Sequence, residues 1–125
     1  MNIKLTTEFL HQLVDSTNSR KAIIFSNIGL SMFSTLNDNK RDENISAHSA
    51  TMYDHCESSI KQMEALSLKQ LIIENENGYM FIVPANETSY LILFTNSNPD
   101  LAFIKSKMQE TISLAIKTND KLELV

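Results

Sequence analysis

The most regular hydrophobic pattern in the chain runs from about Asp42 to Leu66 and has the period of an α-helix. Four charged side chains share one sector of this segment, namely Asp54, Glu57, Lys61 and Glu64. Another sector is mostly apolar: Ile45, Ser49, Met52, Cys56, Ile60 and Met63, with Tyr53 at its edge. The pattern predicts a helix long enough to cross a whole sheet, with one buried stripe and one solvated face. Asp42 or Asn44 is its predicted N-cap.

A third sector of the same helix is polar but carries no charge. It contains His48, Thr51, His55, Ser58 and Gln62. Because the centres of protein interfaces are depleted in charged residues, this sector indicates contact with another protein surface. The alternative interpretation is that these side chains are ordinary solvent-facing residues.

Two short, continuous apolar runs predict central strands covered on both faces: Ala22–Phe25 and Tyr90–Phe94. Gly29 is placed to reverse the chain after the first run, and the alternating segment Leu30–Leu36 then predicts a half-buried edge strand.

A second hairpin is predicted near the middle of the chain. Leu68–Glu74 forms its first strand, and Tyr79–Val83, ended by Pro84, forms its second. Asn77-Gly78 between them is a strong signal for a type I′ turn, which requires two residues of positive φ.

The chain begins and ends with helices in this interpretation. The first starts at Thr6–Glu8 and buries a narrow seam of Phe9, Leu10, Leu13 and Val14. The last starts at Asn98–Asp100, with Pro99 in or near its first turn, and buries Leu101, Ile104, Met108, Ile112 and Ala115. The predicted fold class is α+β, in the order αββαβββα, with a five-stranded antiparallel sheet and helices on both faces.

Composition indicates one soluble domain spanning residues 1–125. The length of 125 residues suffices for a hydrophobic core, and 42% hydrophobic and 21% charged residues are ordinary for a globular protein. Lys and Arg are scattered and the net charge is −4, so we expect no nucleic-acid partner. A single Cys, no signal peptide and no apolar run of membrane-spanning length favour the cytoplasm and no membrane insertion.

The sequence predicts no catalytic, metal or cofactor site. With only Gly29 and Gly78, the chain has no phosphate-binding loop. His48 and His55 lie seven residues apart, which is too far for a ligand pair on a helix, and no third ligand is evident. Cys56 points away from His55 and is interpreted as a small core residue. We therefore expect a protein that is not an enzyme.

Several positions together carry a family resemblance from about Thr6 to Lys117. They are the short first helix, the Ile23–Leu36 hairpin turning at Gly29, the long helix opening with Ala47 and Ala50, the Asn77-Gly78 hairpin, the Leu91–Phe94 strand and the final amphipathic helix. This layout resembles the Roadblock/LC7 family, of profilin-like architecture. Longin and profilin-like domains have a related layout. The chain departs from the family's pattern in its first turn, Asn27-Ile28-Gly29, and in the bulky Met52, Tyr53 and Met63.

The resemblance implies a dimer in which the third strands and the long helices of two copies pair. The predicted interface comprises His48, Thr51, His55, Ser58, Gln62, Gln70, Leu71, Ile72 and Ile73. Pairing would also cover an apolar edge strand that otherwise favours aggregation. The implied partners are a small Ras-like GTPase and either a second copy of the chain or a paralogous Roadblock chain. The alternatives are a structural subunit of a motor or membrane-associated signalling complex, and a profilin- or longin-like ligand-sensing module.

Overall fold

The computed structural model describes residues 2–119, which form three helices and five strands in the predicted order αββαβββα. The elements are α1 Ile3–Ser16, β1 Ser19–Ser26, β2 Ser31–Ser34, α2 Asn39–Glu64, β3 Leu71–Asn75, β4 Gly78–Pro84, β5 Ser89–Thr95 and α3 Leu101–Thr118. Met1 and residues 120–125, which the single-domain prediction also covers, lie outside the described residues.

The five strands form one antiparallel sheet in the order β2-β1-β5-β4-β3. The two continuous apolar runs are the central pair, β1 and β5, in a register that places Ala22 opposite Leu93 and Ile24 opposite Leu91. Every side chain from Ala22 to Ser26 and from Leu91 to Thr95 is buried. The predicted fold class and the predicted central strands are confirmed.

Helices cover both faces of the sheet because alternate residues of the central strands face opposite sides. α1 and α3 pack together on one face, over a core that includes Leu10, Ile24, Leu91, Leu93 and Met108. α2 lies on the other face, over a second core of Ile23, Phe25, Ala50, Tyr53, Ile82, Ile92 and Phe94.

The first hairpin turns at Gly29, as predicted. The Gly29 N–H donates to the Ser26 carbonyl at 2.9 Å, and its φ of +86° suits glycine. A Cβ added there would lie 3.0 Å from the Cα of Ala47, so this turn also requires a small residue where α2 crosses it.

The predicted caps and ends of α2 were wrong. Asp38 caps the helix, since its carboxylate accepts from the Arg41 N–H at 3.1 Å. Asp42 is buried instead and accepts a hydrogen bond from the Ser34 hydroxyl at 2.8 Å. The helix ends at Glu64, before the predicted Leu66, because Ala65 adopts a left-handed conformation with φ of 57°.

The predicted buried stripe of α2 was also wrong in part. The buried residues are Asp42, Ser46, Ser49, Ala50 and Tyr53. The larger apolar side chains are displaced to one flank: Ile45, Met52, Cys56 and Ile60 are half-buried and Met63 is 70% exposed. Small residues let the helix backbone approach the sheet, so they occupy most of the contact, together with the buried Tyr53, while the other bulky residues lie beside it. Cys56 is therefore not a core residue.

The second hairpin does not have the predicted type I′ turn. Its turn residues are Glu76 and Asn77, neither with positive φ, and Gly78 is the first residue of β4, paired with Asn75. Gly78 has φ of +145°, and its Cα lies so close to the backbone of Thr95 and Asn96 that no side chain would fit. β3 is shorter than predicted and begins at Leu71.

Helix α1 begins before the predicted start at Thr6–Glu8, whereas the cap of α3 lies within the predicted start at Asn98–Asp100. α1 starts at Ile3 with Asn2 as its cap, while Thr6 is buried within it and accepts from the Asn119 side chain at 2.7 Å. α3 is capped by Asp100, so Pro99 precedes the helix. Leu101, in the first turn of α3, is 48% exposed and is not part of the buried stripe.

Candidate interaction surface

β3 forms one edge of the sheet in the described part of the chain and pairs only with β4. Its sequence is apolar: Leu71 and Ile73 are half-buried, and Ile72, on the opposite face, is 40% exposed. An apolar edge strand exposes backbone donors and acceptors together with side chains that favour burial. These are the properties of a strand that pairs with another chain.

A shallow apolar depression of about 320 Å³ lies between β3 and the second half of α2. We call it the α2–β3 groove, and it is lined by His55, Cys56, Ser59, Ile60, Met63, Leu68 and Leu71. With the 70% exposed Met63 at its side, the groove continues the apolar character of the edge strand onto the helix. Contiguous exposed apolar surface is a common feature of protein-binding regions.

The structure brings only part of the predicted interface to this groove. His55 and Leu71 line it, and Ile73 is half-buried on the same face of β3. Gln70 is half-buried on the other side, where it lines a depression with Lys105 and Gln109 of α3. The other predicted helix residues, His48, Thr51, Ser58 and Gln62, are exposed on the side of α2 turned away from the sheet. The Thr51 hydroxyl donates to the Ala47 carbonyl of its own helix at 3.1 Å.

Sequence reasoning missed five residues of the groove: Cys56, Ser59, Ile60, Met63 and Leu68. Three of them were assigned to the buried stripe because they are apolar and helically spaced. The signal that could have separated them is size. Ser49 and Met63 differ so much in size that the helix backbone cannot lie at the same distance from the sheet at both positions.

Leu68, one of the residues that line the groove, is held in place by Tyr53. Its hydroxyl donates to the Leu68 carbonyl at 2.9 Å, and its ring packs at 4.6 Å from the ring of Tyr90, which in turn stacks on Phe25 at 5.5 Å. Burial, together with the nearby charge of Glu57, raises the pKa of Tyr53 to about 12. The neutral phenol therefore ties the segment between α2 and β3 to the helix.

The side chains that line the α2–β3 groove are apolar or carry no acidic group. Residues 2–119 contain no group of three or more His, Cys, Asp or Glu side chains that could hold a metal ion. His48 and His55 are both exposed. None of the described helices is long and apolar enough to cross a membrane.

A family model of the Roadblock/LC7 domain matches residues 5–95 of the chain. The chain belongs to the Roadblock/LC7 family. The resemblance in the sequence is thereby confirmed. No curated protein sequence matches the chain.

Solved structures of Roadblock/LC7 proteins show the same fold. A Roadblock/LC7 domain from Streptomyces avermitilis superposes with a TM-score of 0.82 at 16% identity, covering 90% of this chain and 95% of that one. MglB of Myxococcus xanthus superposes with a TM-score of 0.82 at 9% identity, covering 96% of this chain and 99% of that one. The gliding protein MglB of Thermus thermophilus superposes with a TM-score of 0.78 at 13% identity, covering 92% of this chain and 88% of that one.

The departures of this Roadblock/LC7 domain from the family pattern now have structural roles. Tyr53 is buried and clamps the segment after α2, whereas Met52 is half-buried and Met63 is exposed at the α2–β3 groove. The bulky residues therefore do not separate the first half of α2 from the sheet.

Proposed function

We propose that the protein is a non-catalytic regulator or scaffold that dimerises and binds a small Ras-like GTPase. The observation that carries the dimer is the combination of an unpaired apolar edge, β3, with the adjacent α2–β3 groove. In a dimer with a two-fold axis, β3 of one copy would lie beside β3 of the other. The apolar surface around the groove of each copy would then be covered by the same surface of its partner.

Such a dimer would remove apolar side chains from water on both faces of the sheet at the β3 edge. Ile72 lies on one face of the sheet, and Leu71, Ile60 and Met63 lie on the other. Burial of large apolar side chains stabilises an interface by roughly 1.5–3 kcal/mol for each fully buried side chain. A paralogous Roadblock chain with the same edge would satisfy this geometry equally well.

The GTPase as partner is supported by family membership, because the Roadblock/LC7 resemblance implies regulators of Ras-like GTPases. Such a regulator acts by ordering the residues of the GTPase itself, so it requires no catalytic group of its own. The exposed uncharged sector of α2, His48, Thr51, Ser58 and Gln62, would remain available beside the dimer contact or join it.

Two measurements test the proposal. Light scattering of the purified chain at micromolar concentration should give the mass of a dimer. Calorimetric titration with small Ras-like GTPases of the source organism, each loaded with GDP or a non-hydrolysable GTP analogue, should show binding to at least one. A monomer that also fails to pair with paralogous Roadblock chains would contradict the dimer, and a dimer that binds no GTPase would favour the structural-subunit alternative.

The ligand-sensing alternative receives less support from the structure. Two depressions formed by the described residues, of about 410 and 460 Å³, are open to solvent. The core between them is filled by large side chains such as Tyr53, Phe25 and Met108. A small-molecule site would instead bury most of its ligand.

A further inference from the structure

The fold gathers three cationic side chains at one end of the sheet, on the α2 side. Arg20 and Lys21 follow Ser19 at the start of β1, and Arg41, in the first turn of α2, lies close enough for its charge to act on Lys21. The Lys21 Nζ lies 4.6 Å from the centre of the Phe94 ring and the Arg20 guanidinium carbon lies 5.8 Å from it. We call Arg20, Lys21 and Arg41 the basic cluster. It includes both arginines of the chain.

None of the three side chains forms an ion pair within residues 2–119, where the only ion pair joins Lys107 and Glu110. Two acidic residues close to Arg41 in the chain bind other groups. The Asp38 carboxylate accepts from the Arg41 backbone N–H as the cap of α2, and the Asp42 carboxylate accepts from the Ser34 hydroxyl. The pKa of Lys21 is lowered by burial and then by the charges of Arg41 and Arg20, as expected for cations without a counter-charge.

Two members of the basic cluster, Arg20 and Lys21, lie over an aromatic side chain, and the cluster is accessible. Arg20 and Arg41 are exposed and Lys21 is half-buried, while Phe94, beneath Arg20 and Lys21, is 9% exposed. Arg20 is held in position because its Nε donates to the Thr95 carbonyl at 3.1 Å. Its remaining guanidinium donors have no partner among the described residues and can bind a carboxylate.

We propose that the basic cluster is a docking site for a short acidic segment of a partner protein. Charge complementarity supports this occupant: three uncompensated cations match two or three carboxylates. The cluster is small compared with the six to ten phosphate contacts of a typical nucleic-acid interface. This surface is separate from the α2–β3 groove and does not depend on a GTPase partner.

The test is an NMR titration of the full chain with hexaglutamate, with hexalysine as the control peptide. Amide shifts should be confined to the neighbourhood of Arg20, Lys21, Arg41 and Phe94, and binding should weaken as salt is raised. Replacing Arg20→Gln and Arg41→Gln together should weaken binding about tenfold, since two charged contacts are lost. The matched control is Lys4→Gln with Lys105→Gln, which removes two exposed charges from the opposite face of the sheet.

A further variant separates docking from a purely structural role. Lys21→Met keeps an apolar stem over Phe94 and removes only the charge, so it should preserve the melting temperature while weakening hexaglutamate binding. The proposal is overturned if Lys21→Met binds as tightly as the parent, or if the control pair weakens binding as much as the arginine pair. Tighter, cluster-dependent binding of phosphatidylserine vesicles or duplex DNA than of hexaglutamate would also overturn it.

Discussion

The two halves of α2 differ in the size of their apolar residues and in what those residues contact. In the first half, Ser46, Ser49 and Ala50 lie against the sheet, buried between 0% and 9% exposure. In the second half, Ile60 is half-buried and Met63 is 70% exposed beside an apolar groove. Small side chains permit close helix–sheet packing, and Tyr53 is the large side chain of α2 that is also buried there. We infer that the helix up to Tyr53 maintains the fold and that the part after Tyr53 presents the interface.

The largest effect is expected from a charge placed in the first half. Ala50→Glu would bury a carboxylate among Ile23, Ile82 and other apolar residues without a partner. Such a charge costs several kcal/mol, against a total stability of roughly 5–15 kcal/mol. We expect an unfolded or insoluble protein by circular dichroism. Ser58→Glu, at an exposed position of the same helix, is the control and should melt as the parent does.

Charges in the second half should instead dissociate the dimer and leave the fold intact. Ile60→Glu with Met63→Glu places like charges from two copies across a desolvated contact. Light scattering should report a monomer with a circular dichroism spectrum like that of the parent. Thr51→Glu with Ser58→Glu tests the uncharged sector in the same way. If only the first pair gives a monomer, the interface is the groove; if neither does, the proposed interface is misplaced.

Removal of the hydroxyl that joins α2 to the segment before β3 should have a moderate effect. Tyr53→Phe keeps the ring packed on Tyr90 but leaves the Leu68 carbonyl without its donor. We expect a loss of about 1 kcal/mol in the free energy of unfolding, measured by urea denaturation. Tyr79→Phe is the comparison, since that residue lies on the other face of the sheet.

The same hydroxyl predicts a pH dependence of stability. The pKa of Tyr53 is about 12 in the folded protein, above the ordinary value of 10 that applies to the unfolded chain. The contribution of Tyr53 to the free energy of unfolding is therefore fully present below pH 10. It is lost as the pH rises from 10 through 12, because the phenol of the unfolded chain releases its proton first. Urea midpoints between about pH 9 and 12 should fall more steeply for the parent than for Tyr53→Phe. Parallel curves would contradict the assignment.

The smallest effect should have the opposite sign. The Ser46 hydroxyl is fully buried and has no hydrogen-bond partner among the described residues. Ser46→Ala removes this unsatisfied group and improves helix propensity, so it should stabilise the protein by about 1 kcal/mol. Ser113→Ala, at an exposed position of α3 away from the groove, should show only the propensity contribution of roughly 0.5 kcal/mol. Equal gains in the two variants would show that Ser46 has a partner in solution.

The sequence determined the element order, the two central strands and the family, because these depend on local period and continuous hydrophobicity. Ala22–Phe25 and Tyr90–Phe94 are central since an unbroken apolar run needs cover on both faces. The predicted positions of caps and turns were less accurate. Asp38, Asp42 and Asn44 are all residue types that can cap a helix. Asp38 is the cap because the helix begins at Asn39, directly after it.

Tertiary structure alone decided which side of α2 faces the sheet and which charges meet. Helical periodicity groups Ser49 with Met63, but the distance between helix and sheet buries one and exposes the other. Arg20 and Arg41 are far apart in the sequence, yet the β1–β2 hairpin returns the chain so that both influence Lys21. Local patterns specify elements; the contacts between elements depend on how closely their side chains allow them to pack.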